Sequence, residues 1–262
     1  MSFQGGAGLV CGTICLVGAG PGAADLLTLR AMRRLMAADV VFHDRLVSPE
    51  VLALIPGRAR VVDVGKAVGA NAWPQGRINA EIVTAALMGL AVVRLKSGDP
   101  SIFGRAAEEI GAAAAAGIPV EVVPGITAAS AAAAATLDPL TVRGRFDRVV
   151  FATGTTLTSA ATRDLAASLV PGTKLVLYMA VAQLAHIEAD LLAAGVPGDT
   201  PATITSGAST SGERTGRYAL KDLAQAVARD GFTNPAVIML NIAKDVSGRG
   251  TAVAPEMASC RV

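Results

Sequence analysis

The residues best placed to do chemistry sit where short apolar runs end. Gly18-Ala-Gly-Pro-Gly-Ala23 follows one run and precedes a helical pattern, and Asp44 closes the next run about twenty residues on. This spacing fits the dinucleotide fingerprint, in which turn N–H groups and a helix start grip a pyrophosphate. Pro21 removes one of those donors, and a tight strand-to-helix turn without a ligand is the competing reading. Ser97-Gly98-Asp99-Pro100 ends another run. Its glycine admits close backbone approach, and Asp99 offers a carboxylate to hydroxyl, amino or sulfonium groups, with an ordinary turn as the alternative. Arg105 and Glu108, at i and i+3, would share one helix face and can pair there, either aimed at a substrate or as a solvated ion pair. Arg143, Arg145 and Arg148 offer guanidinium forks where the pattern of elements breaks and a cleft would open. His43 and His186 are far apart in sequence, and without C-x-x-C or H-E-x-x-H no metal site is expected.

The elements that must hold these residues alternate as in an α/β protein. Strands are expected at 13–17, 39–43, 61–64, 91–95 and 120–123, with helices at 26–37, 78–88, 106–116 and 127–136 and Asp25 as the first helix cap. The polar stretch 138–147 interrupts the rhythm. After it, strands are expected at 149–152, 174–179, 202–205 and 236–240, and helices at 158–169, 183–194 and 220–230. The reading is two lobes, 12–137 and 138–246, between loose tails at 1–11 and 247–262.

Composition narrows the class. The 262 residues are 52% hydrophobic, 17% charged and 3% aromatic, so a large core can be built mostly from Ala, Val, Leu and Ile, and intrinsic disorder is excluded. Twenty-three Lys and Arg against 21 Asp and Glu leave a net charge of +2, too little for a general nucleic-acid or membrane-surface binder. An anionic ligand must then be held by local basic clusters. Cys11, Cys15 and Cys260 have no metal or disulfide spacing, and a reducing, cytoplasmic setting is expected. Residues 1–12 lack the charged start of a secretory signal. The Ala-rich stretch 110–123 is broken by Gly117 and Pro119, short of the ~18 apolar residues that span a membrane.

Six blocks, in order, carry a resemblance. They are Val17-Gly-Ala-Gly-Pro-Gly22 with Leu26-Leu-Thr-Leu29; Asp44-Arg-Leu-Val-Ser48; Val64-Gly-Lys66; Pro74-Gln75 with Ile78-Asn79; Arg94-Leu-Lys-Ser-Gly-Asp-Pro100 with Phe103-Gly-Arg105 and Glu108-Glu109; and Val122-Val-Pro-Gly-Ile-Thr-Ala128. From about 13 to 246 the chain resembles the uroporphyrinogen III C-methyltransferases of the tetrapyrrole methylase family. The resemblance implies a homodimeric, two-lobed α/β enzyme, each lobe a mixed sheet flanked by helices, with the active-site cleft between the lobes. It implies use of S-adenosyl-L-methionine to methylate uroporphyrinogen III twice, giving precorrin-2. The glycine loop would then serve close backbone approach, and Pro21 would cost nothing.

Carried over residue by residue, the cofactor contacts fall on Pro21, Ser97, Gly98, Asp99, Ile102, Thr127, Ala128, Met179 and Ala208. Asp44 and Lys66 match a proton acceptor and donor; Arg105, Glu108 and Arg143 match substrate-binding positions, with Arg105 also handling protons. Ser97 and Ala208 stand where the family more often has glycine. Outside the resemblance, Met179 would be a core methionine and Asp44 a strand-end carboxylate paired with Arg45. No segment is left over for precorrin-2 oxidation or iron insertion, so a single activity is expected. The readings that compete are an NAD-dependent oxidoreductase, a non-catalytic tetrapyrrole carrier, and a sister methyltransferase acting on a later precorrin.

Overall fold

A computed structural model describes residues 12–65, 73–156 and 158–244. The tails expected at 1–11 and 247–262, and Lys66, lie outside the described residues.

In the first half, strands β1 (Thr13–Gly18), β2 (Val40–His43), β3 (Arg60–Asp63), β4 (Ala91–Lys96) and β5 (Val120–Val123) form one sheet in the order β3-β2-β4-β1-β5, every ladder parallel. Helices α1 (Leu29–Ala37), α2 (Pro49–Leu52), α3 (Gln75–Leu87) and α4 (Ala106–Ala115) supply crossovers between the parallel strands, only α2 joining sheet neighbours, and they cover both faces. One face buries Ile14, Leu16, Phe42 and Val92 with Ile78 and Ile82 of α3; the other buries Val17, Val41 and Leu95 with Ala31 and Leu35 of α1. Mixing of strand direction is confined to the second half. There β6 (Arg148–Thr153), β7 (Thr173–Tyr178), β8 (Pro201–Ser206), β9 (Arg214–Ala219) and β10 (Ala236–Ile242) run in the order β6-β7-β10-β8-β9, only β6 and β7 being parallel.

Helices α6 (Ser159–Ser168), α7 (Leu184–Ala193) and α8 (Leu223–Asp230) cover one face of this second sheet. The other face receives α5 (Ala128–Thr136), whose Ala129 and Ala132 pack on Val176, Val237 and Met239. Five alanines in succession, Ala131 to Ala135, keep that helix slim, so it can lie close against the strands. Its far end is tied to the sheet as well, where Arg217 of β9 donates to the Thr136 carbonyl at 2.8 Å.

Most expected elements are present, within a few residues. The first helix is corrected: a 3-10 turn covers Ala24–Leu26, α1 begins at Leu29, and its cap is Thr28, which accepts from the Ala31 N–H, so Asp25 is not the cap. Two elements were not expected. Helix α2 is a single turn capped by Ser48 with Pro49 at its first position, and β9 is a polar edge strand whose arginines and glycine do not alternate.

Candidate functional site

The carboxyl ends of the parallel strands converge, which is where open α/β sheets place ligands. Beyond β1 and β4 the backbones of Gly20 and Gly98 exchange hydrogen bonds of 3.2 and 2.7 Å. Both glycines hold positive φ, +74° and +70°. Gly18 and Gly125 have a different task. A Cβ on Gly18 would stand 2.5 Å from the Gly125 nitrogen and 2.7 Å from the Gly98 oxygen, so these glycines let three strand ends touch backbone to backbone. Pro21 follows Gly20 in the same loop, and Gly22 reaches the second half: a Cβ there would overlap Thr210, while the Ala23 N–H donates to Ser209 Oγ at 3.2 Å.

Asp99 clamps the turn beyond β4. One carboxylate oxygen accepts the Gly125 N–H at 2.9 Å; the other accepts the Ser101 N–H at 2.8 Å and its hydroxyl. Ser97 and Gly98 lead into this turn, and beside it opens a cavity of about 610 Å³ lined by Leu26, Asp99, Ile102, Gly125, Thr127 and Ala131. Thr127 and Ala128 start α5. Tyr178, the last residue of β7, reaches across to them: its hydroxyl lies 2.6 Å from Thr127 Oγ1 and accepts the Ala129 N–H at 3.2 Å. Burial raises the Tyr178 phenol above its ordinary range, and the bonds from Thr127 and Ala129 partly offset that. Met179, next in sequence, is 46% exposed at a φ of +52°, a conformation a core methionine would not need. Ala208 follows Ser206 and Gly207 at the same end of the second sheet, and its carbonyl lies near Gly22.

Asp44, just past β2, is bonded not to Arg45 but to Arg94 of β4. Arg94 in turn bonds Glu109, which also holds Lys96; exposures are 2% for Arg94, 0% for Glu109 and 3% for Lys96, against 33% for the Asp44 side chain. Arg105 and Glu108 form the expected pair, at 2.6 and 2.7 Å, each nearly half exposed. Phe103 and Arg105 both take positive φ, and the Phe103 ring lies 5.2 Å from that of Tyr178, so this turn stands beside Met179 and the start of α5.

Arg143, Arg145 and Arg148 belong to the segment that leads into β6. They lie at or before the start of β6, where Arg148 pairs with Thr173, while Thr153 at its other end pairs with Tyr178. The hairpin carrying Arg143 and Arg145 is followed by Asp147 and Arg148, whose N–H groups donate to the Gly172 carbonyl, and the Arg145 carbonyl accepts from the Lys244 N–H; Arg148 is about 17 Å of strand from the end of β6 that pairs with Tyr178. The histidines belong to different halves: His43 ends β2, and His186 on α7 contacts Ser159 and Asp190.

Sequence reasoning did not assign Tyr178, Arg94, Lys96 or Glu109. A charge at alternate positions of an otherwise apolar strand, Arg94 and Lys96 in β4, was the available signal. Tyr178 carried none beyond its place before Met179.

The chain matches the family of tetrapyrrole (corrin/porphyrin) methylases over residues 13–224. It is 47% identical over 240 residues to a uroporphyrinogen-III C-methyltransferase of Paracoccus denitrificans, covering 91% of this chain and 83% of that one. A siroheme synthase of Aeromonas hydrophila is 43% identical over 229 residues, where this chain spans 49% of the relative's length. A solved structure of uroporphyrin-III C-methyltransferase from Thermus thermophilus, complexed with S-adenosyl homocysteine, superposes with a TM-score of 0.74 at 36% identity, covering 88% of this chain and 97% of that one. With a match that spans most of its length, on a fold whose strand ends meet in one cleft, the chain belongs to the tetrapyrrole methylases.

Proposed function

We propose that the protein is a C-methyltransferase that uses S-adenosyl-L-methionine to methylate uroporphyrinogen III twice, yielding precorrin-2. The observation that carries this reading is the meeting, at one end of the fold, of the Asp99-clamped cavity with Asp44 and Arg105. The donor set suits the cofactor. Positive-φ glycines allow backbone approach, the Asp99 carboxylate faces a cavity with apolar walls from Leu26, Ile102 and Ala131, and among the described residues no Lys or Arg lines it. A dinucleotide would want the Gly18 loop as a phosphate cradle, whereas its glycines are used for backbone contact.

Pro21, Ser97, Gly98, Asp99, Ile102, Thr127, Ala128, Met179 and Ala208 would hold the cofactor, which supplies a sulfonium-activated methyl when bound. The methylated pyrrole must then lose a proton, and Asp44 is assigned to accept it, with Lys66 as donor. Arg105 binds a substrate carboxylate. Its pair with Glu108 is exposed and contributes little to stability, so an incoming carboxylate can take over the fork at small cost. A purely non-catalytic carrier would have no use for the Asp99 turn.

The reading extends to a homodimer in the cytoplasm, supported by the family resemblance and by cysteines without disulfide spacing. It divides the chain at 137/138. Asp138 is held by Lys174 and Asn241 of the second sheet, so the linker belongs with that half. Anaerobic incubation with reduced uroporphyrinogen III and methyl-labelled cofactor tests the function: two labels per macrocycle are expected, and none would overturn it.

A further inference from the structure

The core of the first sheet holds charges that the reading above does not use. Arg94 and Lys96 point to the same side of β4, and Glu109 of α4 sits between them. Glu109 Oε1 accepts from Arg94 Nε at 3.0 Å, from Lys96 Nζ at 3.0 Å and from Gln75 Nε2 at 3.2 Å, while its Oε2 accepts from Lys96 at 2.9 Å. The Arg94 guanidinium is used on every side. Its Nη1 donates to the carbonyls of Phe42 and Leu95 at 3.4 and 3.1 Å, and its Nη2 to Asp44 Oδ1. The four ionisable groups balance, two of each sign.

Such a cluster is a poor way to build stability, because apolar residues of the same volume often serve as well or better. Its geometry has another use. A guanidinium fixed at Nε and Nη1 can present Nη2 in only one direction, so it holds one oxygen of Asp44 and leaves the other for the cleft. The cluster also underlies the substrate turn: Gly104, between Phe103 and Arg105, has room only for hydrogen, since a Cβ would stand 3.2 Å from Lys96 Cε and 2.6 Å from the Pro100 oxygen.

We infer that Glu109 and Lys96 are positioning residues for methyl transfer, orienting Asp44 through the fixed fork of Arg94. The inference rests on the reading of Asp44 as the proton acceptor. Lys96 is also drawn below the usual lysine range by burial and then by Arg94, with Glu109 and Asp44 opposing that shift.

The test uses Glu109→Gln and the charge-balanced pair Lys96→Met with Glu109→Leu, which leaves Arg94 facing Asp44 alone and should fold at least as stably as the parent. Both should lose turnover by about 10-fold or more, with S-adenosylhomocysteine affinity within about twofold of the parent. In an Asp44→Asn background neither change should lower turnover further, because the group being oriented is gone. Parental turnover in the balanced pair, or losses that multiply with Asp44→Asn, would overturn the inference. Parental turnover in Asp44→Asn alone is a different failure: it removes Asp44 from the reaction and the inference with it.

Discussion

Two lysines are buried among the described residues, one in each sheet, and their surroundings differ. Lys96 is 3% exposed at the site end of the first sheet; Lys174 is 0% exposed near the far end of the second. Burial draws both below the ordinary lysine range. Lys174 ends its chain of contacts quickly, on Asp138 at 2.7 Å and the Pro139 carbonyl at 2.8 Å, with the Phe146 ring 5.0 Å away. It staples the linker between the halves to the second sheet. Lys96 instead passes through Glu109 and Arg94 to a half-buried carboxylate at the cleft. The same side chain, equally buried, serves architecture where its partners stop and orientation where they continue.

That contrast can be sharpened first at the cleft. Arg105→Leu removes a guanidinium that lysine could not replace, and turnover should fall by roughly two orders of magnitude, on the scale of ~3 kcal/mol, with S-adenosylhomocysteine affinity unchanged by calorimetry. A loss of affinity in step with activity would make Arg105 merely the partner of Glu108.

The converse change is Lys174→Met, which should destabilise the fold by about 2–3 kcal/mol in denaturant titration while turnover per folded molecule is kept. The difference in pH behaviour is also readable. Because the folded-state value of Lys174 lies below that of the unfolded chain, the unfolded state binds more protons between the two values. Stability therefore rises with pH through that window up to the ordinary lysine value of about 10.4, and Lys174→Met should flatten the rise.

Tyr178→Phe acts between the halves. It removes the hydroxyl that meets Thr127 and Ala129, and affinity for S-adenosylhomocysteine should weaken by about 3- to 10-fold. Unchanged affinity would detach Tyr178 from the cofactor positions.

The smallest effect is expected at the opposite end of the first sheet. There Cys15 borders a hollow of about 350 Å³ with Arg34 and Glu121, and burial, then Glu121, pushes its thiol up to about 12. Its folded value is raised, so the contribution to stability is present below the unfolded thiol value and fades as pH climbs towards 12. With Cys11 and Cys260 changed to serine, a thiol reagent at pH 8 should modify Cys15 only on unfolding.

Much of this arrangement was legible in the chain. Apolar runs ending in glycine or a charge located most of the strands, and the order of six blocks singled out Arg105 and also Asp99 and Thr127, which line one cavity. What stayed hidden depends on contacts between distant segments. Asp44 could be paired on paper only with its neighbour Arg45, since the parallel register that brings Phe42 beside Arg94 is not written locally. Edge strand β9 was missed because an edge tolerates arginine and glycine that a central strand would not. Asp99 was read as a ligand group alone, whereas its carboxylate also ties Gly125 and Ser101; replacing it with alanine would loosen the turn as well as the cofactor.

On the proposed function, the adenosyl cofactor binds at the converging strand ends, against the Asp99 turn and the start of α5. A crystal structure of the protein with S-adenosylhomocysteine tests this most directly. The ligand is expected in the cavity lined by Asp99, Ile102 and Thr127, within contact of Met179 and Ala208. Ligand density away from Asp99, in the hollow beside Cys15 or elsewhere on the surface, would contradict it.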